Sequence, residues 1–446
     1  MIPESILGSI WARRRRLLEE GEENEPMLRF LQRLFRSESA MRVLGTLSPS
    51  LRLWHPEVRR DPYPNYRRFR ERGLVRLRLF GGWAAARYSD VERILRDSAF
   101  STNREEVAVM KLIRRATRGA PEFQDLVDNN LLMIDGLRHR RLRGLVAKAF
   151  TPRRVEALRP RLEVLVEELL DRMTTQSEVD LIQDFAQPLP TIVIAELLGA
   201  PPQDHARFRA WSNVLAELLD PLLGRGGLEP PKRANRELSA YLRELLADRR
   251  RAPRDDLLTA MSEAREDGET LSEGELLALA SLLLAAGNET TTNLIGNTIL
   301  LLLRYPGERK RLQDDLALLP SALEESLRFE PPVQLTDRAV VEPVELSGVR
   351  LQRGMIVAAL IAGANRDPEQ FPEPDRFDIA RSENRHLAFG SGNHYCIGAA
   401  LARLEAQVAL DAFLRRFPDF SGPTAPPRWK PSIVLRGPTS LVVRLR

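Results

Sequence analysis

The only cysteine of the chain, Cys396, lies within Phe389-Gly390-Ser391-Gly392-Asn393-His394-Tyr395-Cys396-Ile397-Gly398. Glycines at that density let a backbone turn tightly and approach a flat ligand closely. A helical pattern starts at Ile397, so the cysteine stands where unpaired amide N–H groups favour the thiolate over the thiol. A thiolate so placed is a metal ligand or a nucleophile. The competing reading of a lone cysteine is a small, inert, buried side chain.

Three other groupings could carry chemistry. In Ala286-Gly287-Asn288-Glu289-Thr290-Thr291 an acid adjoins a hydroxyl, a pair that can relay protons through water into an apolar site; a polar spot with threonine bonded to the preceding turn is the alternative. Glu325 and Arg328 share a helical face at i and i+3, as a surface pair of little worth or as part of a buried network. His139 and Arg143 stand one turn apart within His139-Arg140-Arg141-Leu142-Arg143, where a solvated basic face is the plain alternative and stays open for Arg138, Arg140 and Arg141. His55, His205 and His386 lack metal-site spacing and read as structural or surface residues.

Together these segments resemble the cytochrome P-450 family, from about Asp61-Pro62-Tyr63 to the segment from Leu435 to Leu445. The resemblance implies a mainly α fold: a long central helix with a small β-rich lobe in one haem-enclosing domain. It makes Cys396 the axial ligand of the iron of haem b, sets Phe389 beside the sulfur, and gives a haem propionate to His394. A cysteine thiolate on haem iron favours O–O cleavage. Glu289 would deliver protons and Thr290 would hold the activated oxygen, while small Ala286 and Gly287 leave room for dioxygen. His139 and Arg143, with Arg338 from Leu335-Thr336-Asp337-Arg338, would meet the propionates. Glu325 and Arg328 would join Arg376, from Pro374-Asp375-Arg376-Phe377, in a buried structural network, and Asn365-Arg366-Asp367-Pro368 matches a loop of bacterial members.

The implied activity is insertion of one oxygen atom from O2 into an apolar or amphipathic molecule, by hydroxylation or epoxidation. No flavin or ferredoxin module is visible, so electrons from NAD(P)H would arrive through a ferredoxin or flavodoxin-type partner, docking on Arg138, Arg140, Arg141 and Lys148. Positional matching makes Leu282, Ala285, Ala286, Val333, Gln334, Ile433 and Val434 the candidate substrate wall, with ordinary core packing as the alternative for each. Two rivals differ in chemistry. A peroxide-driven relative would replace the acid-threonine pair, and a haem-binding sensor would not need it.

The elements that must position these groups follow from periodicity. Val75, Leu77 and Leu79 alternate with Arg76 and Arg78 before Gly81-Gly82 and Trp83 to Tyr88, which predicts a hairpin. Leu158, Leu162, Leu165, Val166, Leu169 and Met173 form one helical stripe. Gly224-Arg225-Gly226-Gly227 and Pro230-Pro231 are expected to separate two helices. A long apolar helix is capped by Ser272 with Glu275, stops at Tyr305-Pro306-Gly307, and would span roughly 45 to 50 Å. A hairpin around Val344 to Leu351 and a last helix from about Ile397 to Phe417 complete the pattern.

Bulk properties bound the reading. With 43% hydrophobic and 29% charged residues the chain is globular, and its 446 residues divide into an Arg-rich extension (1–45) and a catalytic domain (46–446). In the extension Met27, Leu28, Leu31, Leu34 and Phe35 mark one helical face opposite Arg29, Arg33 and Arg36: a helix packed on the body, a free tail, or a membrane-surface contact. The net charge of +5 is small, and with no zinc-finger spacing, RNA motif or long basic run it excludes a nucleic-acid partner. One cysteine forms no internal disulfide and suits a reducing compartment, and Met1-Ile2-Pro3-Glu4 lacks a secretory layout, so a cytoplasmic location is expected. The stretch from Leu276 to Leu303 could cross a bilayer by length, but Glu289 at its middle would cost about 2.5–3.5 kcal/mol, so a buried helix is expected instead.

Overall fold

The computed structural model describes residues 32–77, 82–104, 119–220, 227–265, 268–423 and 427–445. Its axis is the helix Glu273–Arg304, 32 residues and about 48 Å long. Ser272 caps it reciprocally: its hydroxyl accepts from Glu275 N at 3.2 Å, and the Glu275 carboxylate accepts from Ser272 N at 2.9 Å. Tyr305 ends it by leaving the helical region, which the ring of Pro306 disfavours for the residue before it. Among the described residues no helix is long and apolar enough to cross a membrane.

Other helices bury both halves of this axis. Pro121–Asp128, Pro188–Leu197 and His205–Ala216 pack along it, as do Leu319–Phe329 and Ala399–Arg416. One apolar core gathers Leu294, Ile295 and Ile299 to Leu302 with the stripe Leu162, Leu165, Val166, Leu169 and Met173 of the helix Arg159–Met173. A second gathers Leu276, Leu277, Leu279, Leu282 and Ala285 with Phe208, Trp211 and Leu215.

The β-lobe is a five-stranded sheet in the order β1-β2-β8-β5-β3 (Val75–Leu77, Gly82–Ala85, Ile356–Ala359, Thr336–Val340, Phe100–Ser101). β1 and β2 form the expected antiparallel hairpin with Arg76 opposite Trp83; Arg78, Leu79 and Gly81 lie outside the described residues. β8 runs parallel to β2 and antiparallel to β5, which sets Arg338 opposite Val357. β6 (Val344–Leu346) and β7 (Val349–Leu351) make a hairpin whose two turn residues, Ser347 and Gly348, both have positive φ, as a two-residue turn there requires. β4 (Glu178–Asp180) pairs with β9 (Val442–Arg444).

Two boundaries differ from the sequence reading. The expected break does separate the helices His205–Ala216 and Glu229–Arg251, but Pro230 and Pro231 lie inside the first turn of the second helix, which does not use their missing N–H groups; Gly224, Arg225 and Gly226 lie outside the described residues. The division at residue 45 falls inside the helix Glu38–Leu47, and Phe35 and Met41 pack with Trp54, Tyr66, Phe69 and Leu335 in the core beside the sheet. Residues 32–45 are therefore part of the body, whereas Met27, Leu28, Leu31 and Arg29 lie outside the described residues.

Candidate active site

The cysteine loop is built from its glycines. Gly390 and Gly392 have φ of 74° and 69°, and a Cβ on Gly392 would lie 3.1 Å from Leu95 O, so the loop presses on the helix Tyr88–Arg96 as only glycine can. Cys396 N donates to Phe389 O at 2.9 Å and closes the loop. The last helix follows at once, running Ala399–Arg416 with Gly398 as its cap. Cys396 is accessible, yet burial in the surrounding protein pushes its thiol up, opposed by the Gly398 N–H and by Arg143 and Arg403. A group both accessible and enclosed lines a hollow. A Cβ added to Gly398 would meet nothing within 4 Å.

The long helix has open space of its own at its middle. Gly287 is exposed, and a Cβ there would also meet nothing within 4 Å. Leu282 and Ala285 are buried in an apolar cluster against which both Ala286 and Ile397 pack, so the cysteine loop and this stretch of helix share one core. Thr290 Oγ1 donates to Ala286 O at 2.9 Å within the helix. The Glu289 carboxylate turns to Lys430, whose Nζ also donates to Asn293 Oδ1 at 2.9 Å.

Basic groups gather at the rim. His139, on the helix Gly136–Ala149, is buried, its Nε2 has no partner among the described residues, and its ring lies 4.1 Å from that of His394. Burial, with the charges of His394 and Arg143, pushes the His139 imidazole down to about 4, so it is neutral at pH 7. Arg143 Nη2 donates to Tyr395 O at 2.5 Å and pins the cysteine loop. Arg338 is buried on β5, and among the described residues its five N–H donors find only Thr336 Oγ1 and Asp337 O. Burial, then repulsion by Arg104, pushes it down to about 10. Asp135 was missed in the sequence: it accepts from His394 Nε2 at 2.8 Å, Ser101 Oγ at 2.6 Å and Thr102 N at 2.7 Å. Burial alone would raise its carboxyl, but these hydrogen bonds hold it well below the usual range.

The supporting network needs a correction. Glu325 and Arg328 form a fully buried two-point pair at 2.7 and 2.8 Å, and Arg328 also donates to the carbonyls of Asn365, Pro374 and Arg376. Arg376 gives only that carbonyl. Its guanidinium is exposed on Glu373, and Arg381 supplies the second cation on Glu325 at 3.1 Å. Asn365 carries the network to the cysteine loop, accepting from Leu387 N at 2.7 Å. Arg366 stacks between Tyr63 and Phe329 at 3.4 and 3.7 Å, and Asp367 accepts from Tyr88 N.

The remaining candidates fall into place unevenly. Phe389 is half-buried under the Arg403 guanidinium at 4.4 Å. Val333 bridges Leu435, and Gln334 N donates to Val434 O, so these residues and the partly buried Ile433 share one wall. The Gln334 side chain is hydrogen-bonded within the protein: it donates to Pro331 O and accepts from Tyr66 Oη. In the expected docking patch Arg140 is exposed, Arg138 donates to Asn129, and Arg141 is drawn to Glu275 and Glu269. Lys148 donates to Arg265 O, His386 pairs with Glu324 at 3.1 Å, and His55 caps Glu57 N.

Comparison with known proteins agrees with this arrangement. The sequence model of cytochrome P-450 matches residues 230–440. Cytochrome P-450 107B1 of Saccharopolyspora erythraea is 45% identical over 89% of this chain and 98% of its own. This chain is a cytochrome P-450 monooxygenase. The mycinamicin IV hydroxylase/epoxidase of Micromonospora griseorubida, another P-450 relative, is 42% identical over 81% of this chain and 89% of its own. The solved structure of a myxobacterial cytochrome P-450, CYP267B1 in complex with myristic acid, is 39% identical, with a TM-score of 0.79 over 89% of this chain and 99% of that one. As a P-450, the chain belongs to a family that binds haem.

Proposed function

We propose that this P-450 inserts one oxygen atom from O2 into an apolar or amphipathic organic molecule, by hydroxylation or epoxidation. Electrons from NAD(P)H would arrive through a ferredoxin or flavodoxin-type partner. What supports the reading is open space beside Gly398 and beside Gly287, with an accessible cysteine near the first and an acid-threonine pair next to the second.

The residues at the hollow fit haem b. A flat group needs two glycine-opened walls, and its two carboxylates need buried donors. The unpartnered Nε2 of His139 and the underused Arg338 guanidinium answer that need, with Arg143 and His394 beside them. Cys396 would ligate the iron, with Phe389 packed at the sulfur. Haem, when bound, supplies the redox chemistry, and a thiolate ligand favours O–O cleavage. Glu289 would take protons from solvent and Thr290 would hold a proton donor inside the hollow. Leu282, Ala285, Ala286, Val333, Ile433 and Val434 would exclude water and seat the apolar substrate. Arg138 and Arg140, exposed beside the Arg143–Tyr395 contact, would receive the electron donor.

The names of the relatives suggest where to begin the search for a ligand. One is named for oxidation of mycinamicin IV and a solved relative holds myristic acid, so these two compounds are the first probes to try. The deciding experiment is the spectrum of the reduced holoprotein under carbon monoxide. A far red-shifted main band is expected, lost in Cys396→Ser. A band at the ordinary haem position in the unaltered protein would overturn the reading.

A further inference from the structure

The acid proposed for proton delivery is not free in the structure. Glu289, Asn293 and Asn297 follow one another at i, i+4 and i+8, one polar seam along the long helix. The whole seam is covered by the C-terminal hairpin. Lys430 Nζ bonds Glu289 Oε1 and Asn293 Oδ1, and Asn297 Nδ2 donates to Arg436 O and Glu330 O, both at 3.0 Å. The hairpin is closed by Lys430 N to Gly437 O at 3.0 Å and Thr439 N to Arg428 O at 2.8 Å. Gly437 is needed at the crossing, since a Cβ there would stand 2.1 Å from Asn293 Oδ1. Arg436 stacks at 3.6 Å on Trp429 and pairs with Glu330, which fixes the base of the hairpin independently of Lys430.

We propose that Lys430 is the positioning residue of Glu289, holding the carboxylate in one orientation next to Thr290 as the outer station of proton delivery. Two features support this. Both partners are partly accessible, so protons can reach the pair from solvent. The hairpin that brings Lys430 also presents Ile433 and Val434, which the turn at Ser432 and buried Asp220 hold separately, so the ammonium is placed by a wall that does not depend on it. A carboxylate without this tether would spread over several rotamers and reach the productive one less often.

This rests on the reading of Glu289 as the proton donor, and the test separates the two. Holoenzyme with a ferredoxin and its reductase is given myristic acid, and peroxide released per NAD(P)H consumed is measured. Lys430→Met should raise that share severalfold, Lys430→Arg should restore it, and Lys430→Met should add nothing in a Glu289→Gln background. The dissociation constant of myristic acid, read from its spectral shift, should stay within twofold. If Glu289→Gln raises the share but Lys430→Met does not, or if the two effects add, positioning by Lys430 is refuted and the acid stands. If Glu289→Gln changes nothing, both fall. A substrate-free check uses the small number of lysines, Lys111, Lys148, Lys232, Lys310 and Lys430. The signal of 13C-methylated Lys430 should move in Glu289→Gln, and a fixed signal would overturn the contact.

Discussion

Thr290 shows how a side chain can be satisfied and still be available. Its hydroxyl donates to Ala286 O, a bond that any helical threonine can make and that costs little to leave. Thr290→Ala therefore keeps the helix and removes only the hydroxyl next to the hollow. The carbon monoxide band should be unchanged, and a larger share of consumed oxygen should leave as peroxide; equal coupling in variant and parent would refute the role given to Thr290. Cys396, Glu289, Thr290, His139 and Arg143 stood out in the sequence because each lies in a short run that resembles a motif of the family. Asp135, Arg381 and Lys430 did not. Their partners His394, Glu325 and Glu289 stand 259, 56 and 141 residues away, and nothing local in the sequence ties an aspartate to a histidine at that distance. Arg376 misled for the same reason: both it and Arg381 are arginines in one loop, and only packing decides which guanidinium turns inward.

At the scale of elements, helices with caps and stops on both sides were read nearly to the residue, as the Ser272 box and the Tyr305-Pro306 stop show. The start of the helix Glu229–Arg251 was not, because a proline pair ends one helix or begins another with equal ease. The last helix carries a feature that periodicity hides. Glu405 sits on its buried face, its Oε2 has no partner among the described residues, and burial pushes its carboxyl up to about 8. The folded form thus keeps its proton while the unfolded chain loses it above the ordinary glutamate range. Stability from this residue is full below about pH 4.3 and falls as the pH rises toward 8. Glu405→Gln, neutral at every pH, should match the parent at pH 5 and unfold later than it at pH 9, by about 2–4 kcal/mol. Urea melts at the two pH values decide this, and a difference independent of pH would show that the carboxyl ionises in the folded protein.

At the scale of the whole molecule, one buried ion pair connects regions far apart in sequence. Arg328 ties the helix Leu319–Phe329 to the carbonyls of Asn365, Pro374 and Arg376, and Asn365 passes the constraint to Leu387, two residues before the cysteine loop. The geometry of the loop that carries Cys396 therefore depends on a pair that does not line the hollow. Burying two charges is costly, and the pair is stabilising only while every member is present; removing one leaves the other uncompensated, at about 3–5 kcal/mol. Arg328→Ala should abolish folded, haem-loaded protein. Arg381→Ala removes one of two cations on Glu325 and should lower the urea midpoint while leaving folded protein. Arg376→Ala removes an exposed i,i+3 partner of Glu373, worth at most about 0.5 kcal/mol, and should behave as the parent. The ordering discriminates between the network expected from the sequence and the one observed. If Arg376→Ala proved as damaging as Arg328→Ala while Arg381→Ala was silent, the guanidinium on Glu325 would have been misassigned, and the link from the pair to the cysteine loop would need another route.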